Sequence, residues 1–75
     1  MKNYFNKELK ILNVELVMLN GGATLIIENI LGQVVYSQQT NQTINTINLK
    51  QLESGMYLVK VKTASGVSVQ KVVVE

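Results

Sequence analysis

The 75-residue sequence contains no cysteine, histidine, aspartate, arginine, tryptophan or proline. Each absence removes a class of chemistry. Without cysteine there is no disulfide, no thiol nucleophile and no soft metal ligand. Without histidine there is no nucleophile–His–acid triad and no imidazole metal site. Without arginine there is no bidentate clamp for a carboxylate or phosphate. The lack of disulfides leaves the compartment open, since an exported bacterial domain need not carry them.

Charge is sparse as well. Seven lysines and five glutamates give a formal +2. They are spread along the chain without the clustered basic residues and interleaved aromatics of a nucleic-acid binder, so no nucleic-acid partner is expected. The lysines read as solvated residues of a small soluble domain. MKNYFNKELK lacks the ~7–15-residue apolar stretch of a signal peptide. The uncharged run from Asn29 to Leu49 is too rich in Gln, Asn and Thr to span a bilayer. An export signal is therefore expected elsewhere, on a longer precursor. The length allows one domain, burying roughly 60% of the surface its unfolded chain exposes.

What is present is strand pattern. In the stretch LKQLESGMYLVKVK, residues 49–62, a turn at Glu53-Ser54-Gly55 precedes a strand with Tyr57, Val59 and Val61 on one face. Met56, Leu58, Lys60 and Lys62 fall on the other. Gly55 suits a reversal because a residue without Cβ takes φ > 0 freely. Residues 1–8 read as a flexible lead-in, with Tyr4 and Phe5 able to pack on the body. A first strand from about Leu9 to Met18 places Leu12, Val14, Leu16 and Met18 on one face. Asn20-Gly21-Gly22 carries a type I′ hairpin signal. Ala23–Ile30 is apolar on both phases up to Glu28, as in a central strand. A break at Leu31-Gly32-Gln33 leads into Val34–Gln38, with Val34 and Tyr36 on one face. A polar loop over 39–43 precedes Ile44–Leu49, with Ile47, Leu49 and Leu52 inward. Ala64-Ser65-Gly66 turns the chain into Val67–Glu75. In that last strand Val67, Val69 and Val73 share one phase and Val72 and Val74 the other, leaving its buried face open. No helical stripe extends beyond residues 4–13. The reading is all-β: a small antiparallel β-sandwich of about six to seven strands over residues 9–75.

Candidate chemistry is thin. The five acids are Glu8, Glu15, Glu28, Glu53 and Glu75, and a glycosidase-like pair needs two held about 5–10 Å apart in a cleft. Only Glu15 and Glu28, across the expected first hairpin, approach that arrangement. No loop holds the several carboxylates of a calcium site. Gly21-Gly22 lacks the helix and the Gly-Lys-Ser/Thr of a phosphate loop. Tyr36 and Tyr57 read as core-edge residues with packed rings and wet hydroxyls. No catalytic residue, cofactor or metal ligand is expected, and function is expected to lie in a presented surface.

Three stretches together resemble the C-terminal sorting domain of cargo proteins of the type IX (Por) secretion system of Bacteroidetes. They are ATLIIENILGQVVY at 23–36, INLKQLESGMYLVKVKT at 47–63, and the ending VQKVVVE. The resemblance runs from about Leu12 to the end. It implies an immunoglobulin-like β-sandwich that serves as a non-catalytic address label on a fused cargo. The outer-membrane translocon recognises such a label, and a cell-surface sortase-like peptidase commonly removes it. The implied route is periplasm, then outer-membrane surface or exterior. Carried over to this chain, the recognition motif is Asn29, Leu31, Gly32 and Gln33, then Leu52, Gly55 and Tyr57, then Lys71, Val72, Val73 and Val74.

Family members usually open on a Pro-Asn-Pro-like segment, which this proline-free chain lacks, and a basic residue more often stands where this chain has Glu75. A sandwich lacking its opening edge strand exposes unpaired N–H and C=O groups. That predicts a homodimer through the open edge or by exchange of the Leu9–Met18 strand. A different class of reading is a fibronectin- or Ig-like adhesion or carbohydrate-binding module. It requires an exposed platform built from Tyr4, Phe5, Tyr36 and Tyr57.

Overall fold

A computed structural model describes residues 1–17 and 21–75. Its described residues form seven strands and no helix: β1 (Lys2–Asn6), β2 (Ile11–Glu15), β3 (Ala23–Asn29), β4 (Val34–Thr40), β5 (Ile44–Asn48), β6 (Gly55–Thr63) and β7 (Gly66–Val74). They make two antiparallel sheets, one ordered β1-β2-β5 and the other β4-β3-β6-β7. This is the small β-sandwich that the alternating pattern predicts.

The core is what that alternation delivers. Leu12 and Val14 from β2, and Ile47 from β5 with Leu49 just beyond it, face Leu25 and Ile27 from β3 and Tyr57, Val59 and Val61 from β6. β3 is central, flanked by β4 and β6. A strand with neighbours on both sides needs apolar residues on its inner phase and tolerates them on its outer one, which explains its run of aliphatics. Val72 and Val74 complete the core from β7, whereas Val67, Val69 and Val73 are exposed. The last strand is therefore an edge with one buried phase, and only its final turn of sequence reaches the interior.

The start of the chain departs from expectation. Residues 1–8, expected as a lead-in, contain β1, paired antiparallel to β2 with Lys2 opposite Glu15 and Asn6 opposite Ile11. Five residues suffice because Asn6 closes the turn, its Oδ1 accepting from the Glu8 and Leu9 amides at 3.0 Å each. Strand alternation then separates the two aromatics: Phe5 packs against the core and Tyr4 points to solvent. β1 also meets β7 along one side of the sandwich. There Asn3 Nδ2 donates to Gln70 Oε1, and Gln70 Nε2 donates to the Met1 carbonyl at 2.8 Å. Met1 lines a shallow cleft with the β6–β7 turn, residues 63–68. At the other end of β1, Lys10 Nζ reaches the main-chain oxygen of Glu75 at 2.5 Å. The edge strand expected to be absent is thus in place.

The first connection differs too. Gly21 and Gly22 both have φ of +86°, but β2 and β3 belong to different sheets, so this segment carries the chain across the sandwich instead of forming a hairpin. An Asn-Gly signal specifies backbone conformation, not which strand will be the partner. Met18 and Asn20, the expected strand end and turn residue, lie outside the described residues. The second crossing, β4 to β5, is tied by buried polar groups. Thr40 Oγ1 donates to Asn45 Oδ1 at 2.7 Å and accepts from the Gln42 amide at 3.0 Å, while Asn45 Nδ2 donates to the Gln42 carbonyl at 2.9 Å. Asn45→Ala strips the Thr40 hydroxyl of its acceptor and frees a carbonyl. The expected cost is about 1–3 kcal/mol, read as a lowered urea midpoint with an unchanged slope.

Candidate functional site

The three motif stretches, distant in sequence, meet at one end of the four-stranded sheet. Asn29 lies opposite Tyr57, and Tyr57 lies opposite Val72, so β3, β6 and β7 contribute one residue each to a single row. Beyond that row come the β3–β4 turn, the start of β6 and the end of β7, where Gly55 faces Val74 and Met56 faces Val73.

Asn29 builds the turn. Its Oδ1 accepts from the Leu31 amide at 2.9 Å and the Gln33 amide at 3.0 Å, and its Nδ2 donates to Gln33 Oε1 at 2.8 Å. The Gly32 amide donates back to the Asn29 carbonyl at 3.0 Å, with Gly32 at φ +83°. That backbone conformation strains any residue with a Cβ, which accounts for the glycine. The turn is closed from below by Asn29 and Gln33, so Ile30 and Leu31 are pushed outward, 75% and 79% exposed. A bulge at Ile27/Glu28, where the register steps from Tyr36 to Val34, bends β4 beside it.

Tyr57 does the corresponding work on β6. Its ring is buried and its hydroxyl donates to the Glu53 carbonyl at 2.6 Å, fixing the segment that crosses from β5. Leu52 is half-buried against the core, its amide donating to the Leu49 carbonyl at 3.0 Å. Gly55 has φ +153°, with open space where a Cβ would stand. Tyr57→Phe keeps the ring and deletes one hydrogen bond. The expected loss is about 1 kcal/mol, measured by thermal unfolding, with sheet structure retained in the far-UV spectrum.

The motif therefore divides by direction. Asn29, Gly32, Gln33, Leu52, Tyr57, Val72 and Val74 build the end of the sheet. Leu31, Lys71 and Val73 are exposed on it, joined by Ile30 and Met56, which the motif does not include. The signal for Ile30 and Met56 was available: each sits beside a glycine or turn, in the phase opposite the core.

Other candidates come apart. Glu15 is on β2 of one sheet; Glu28 is on β3 of the other and pairs with Lys60 at 2.7 Å, so the hairpin that would bring these two carboxylates together does not form. Among the described residues, no three acids, histidines or cysteines come together as metal ligands. Of the four aromatics, Tyr57 is buried, Phe5 and Tyr36 are half-buried, and Tyr4 alone is well exposed. Tyr36 also turns its hydroxyl to Gln38 on its own strand.

Fold and site together define a small two-sheet β-sandwich whose sequence signature is spent on one sheet end. A family model described as the secretion system C-terminal sorting domain matches residues 3–75, and the chain belongs to that family, the type IX secretion sorting domains. The match begins within β1, so the family's domain includes the strand that sequence pattern alone assigns to a lead-in. No curated protein matches the chain.

Proposed function

We propose that this chain is a non-catalytic address label that carries a fused cargo from the periplasm through the type IX outer-membrane translocon to the cell surface or exterior. A surface sortase-like peptidase acts on it after passage. The observation that carries the reading is the family match over 3–75 together with the convergence of its three motif stretches on one sheet end. In this reading Asn29, Gly32, Gln33, Leu52, Gly55, Tyr57, Val72 and Val74 shape that end, and the translocon touches Leu31, Lys71 and Val73. The carbohydrate-binding alternative loses its platform, because three of the four aromatics are turned at least partly into the core.

Pairing of two copies belongs to the proposal through β4 and β5. They are the outer strands on the side away from β1 and β7, and residues 34–48 contain no charged side chain to discourage a neighbouring edge. Exchange of the Leu9–Met18 strand is not its basis, since β1 pairs with β2 and covers that edge.

The test fuses residues 1–75 behind a periplasmic reporter in a Bacteroidetes host with an intact type IX system. Surface or extracellular reporter that depends on the translocon supports the role. Reporter held in the periplasm while the domain is folded removes it.

A further inference from the structure

Directly opposed residues of antiparallel strands share a face, so the pairs Leu58 with Lys71, Lys60 with Val69 and Lys62 with Val67 all lie on the outer side of the four-stranded sheet. This face holds three of the lysines and a single acid, Glu28. The four remaining lysines, Lys2, Lys7, Lys10 and Lys50, are matched in number by Glu8, Glu15, Glu53 and Glu75. The formal +2 of the chain is therefore carried by one sheet face. Glu28 engages Lys60, and Lys62 and Lys71 have no acidic partner among the described residues. Between the lysines stand aliphatics that the fold leaves in water: Val67 is 58% exposed and Val69 50%.

We infer that this outer face is a docking surface for a protein partner that presents acidic groups around an apolar patch. The inference rests on the sorting role, in which that partner belongs to the type IX outer-membrane machinery. Three of the four outward-facing β6–β7 rows set one cation beside one aliphatic, and the fourth is Met56 with Val73, a pattern that a purely solvated face does not need and that pairs with an acidic, partly apolar counterpart. Three strands about 4.8 Å apart and four same-face rows about 6.6 Å apart give a patch of roughly 10 by 20 Å. That is well below the ~800 Å² per partner of a stable complex, so the contact is brief, as suits a label that must be released. A lipid surface fits less well. The valines are short and flush with the pleat, and three lysines fall short of the cluster of roughly four to eight that marks a membrane-binding basic patch.

The experiment immobilises the 75-residue chain and measures binding of purified, detergent-solubilised type IX translocon at low and high salt. K62E/K71E is compared with K2E/K50E, which changes net charge equally on surfaces away from this face. All four positions are exposed or at strand ends, and thermal midpoints check that both variants fold. K62E/K71E is expected to weaken binding about tenfold or more and to flatten the salt dependence, with K2E/K50E within about twofold of the parent. Equal binding by both variants overturns the docking face. So does a loss of binding only to phosphatidylcholine–phosphatidylglycerol vesicles, run in parallel, with translocon binding unchanged. A fused reporter that is still secreted in either case leaves the sorting role standing. If the parent chain does not bind and the reporter stays periplasmic, both readings fall together.

Discussion

Leu25→Ala is expected to lower the unfolding free energy by about 3–4 kcal/mol and the melting temperature by roughly 12–32 °C. Leu25 has no solvent exposure and sits in the middle of β3, with Gln38 of β4 on one side and Val61 of β6 on the other. Facing it across the sandwich are the β2 and β5 aliphatics. The two sheets are held apart by several large side chains, so the space left by an isobutyl group cannot close without shifting both. A chain of this size has about 4–11 kcal/mol in hand by the per-residue rule, so one truncation consumes a large share of it. Thermal and urea unfolding followed by circular dichroism provide the measurement. A loss under about 1 kcal/mol would show that Leu25 is not enclosed as described.

The second large effect separates folding from recognition with two adjacent valines. Val74 is 1% exposed and opposes Gly55; Val73 is 53% exposed and opposes Met56. Val74→Asp places a carboxylate among buried aliphatics, at a cost of several kcal/mol, and is expected to leave the chain largely unfolded and unable to deliver a fused reporter. Val73→Asp stays in water. It is expected to cost about 1 kcal/mol or less and to keep the native spectrum while reporter delivery falls. Delivery by Val73→Asp at the parent level would remove Val73 from the recognised surface. The contrast is needed because deleting residues 71–75 takes away Val72 and Val74 as well. A failure of that deletion to deliver cargo reports lost packing as readily as lost recognition.

Much of this architecture could be read from residue pattern because the strands bury one phase each. β6 alternates without error from Tyr57 to Lys62, and β3 keeps Ala23, Leu25 and Ile27 on its buried phase. β1 escapes the pattern because a five-residue strand that only half-buries Phe5 carries too little periodicity to stand out. The partner of β2 is not encoded locally, because the turn chemistry at Gly21-Gly22 fixes local dihedral angles and says nothing about which sheet the chain enters next. The phase of β7 was ambiguous by composition, with valines on both sides. Register with β6 settles the matter: Val72 lies opposite buried Tyr57, which puts Val67, Val69 and Val73 on the outer face with Lys60 and Lys62. At the site, the motif positions follow from the resemblance. Their meeting at one sheet end depends on registers that link residues 29, 57 and 72, and no local signal encodes those.

Met1 lies against Gln70 and the β6–β7 turn, whereas Leu31 and Val73 stand at the opposite end of the same sheet. In the proposed reading, a passenger joined ahead of Met1 trails from the rear of the domain while its leading tip stays clear. Bulk and folding of the freight then have little bearing on whether the tip can be inspected, and one small module can serve passengers of very different size.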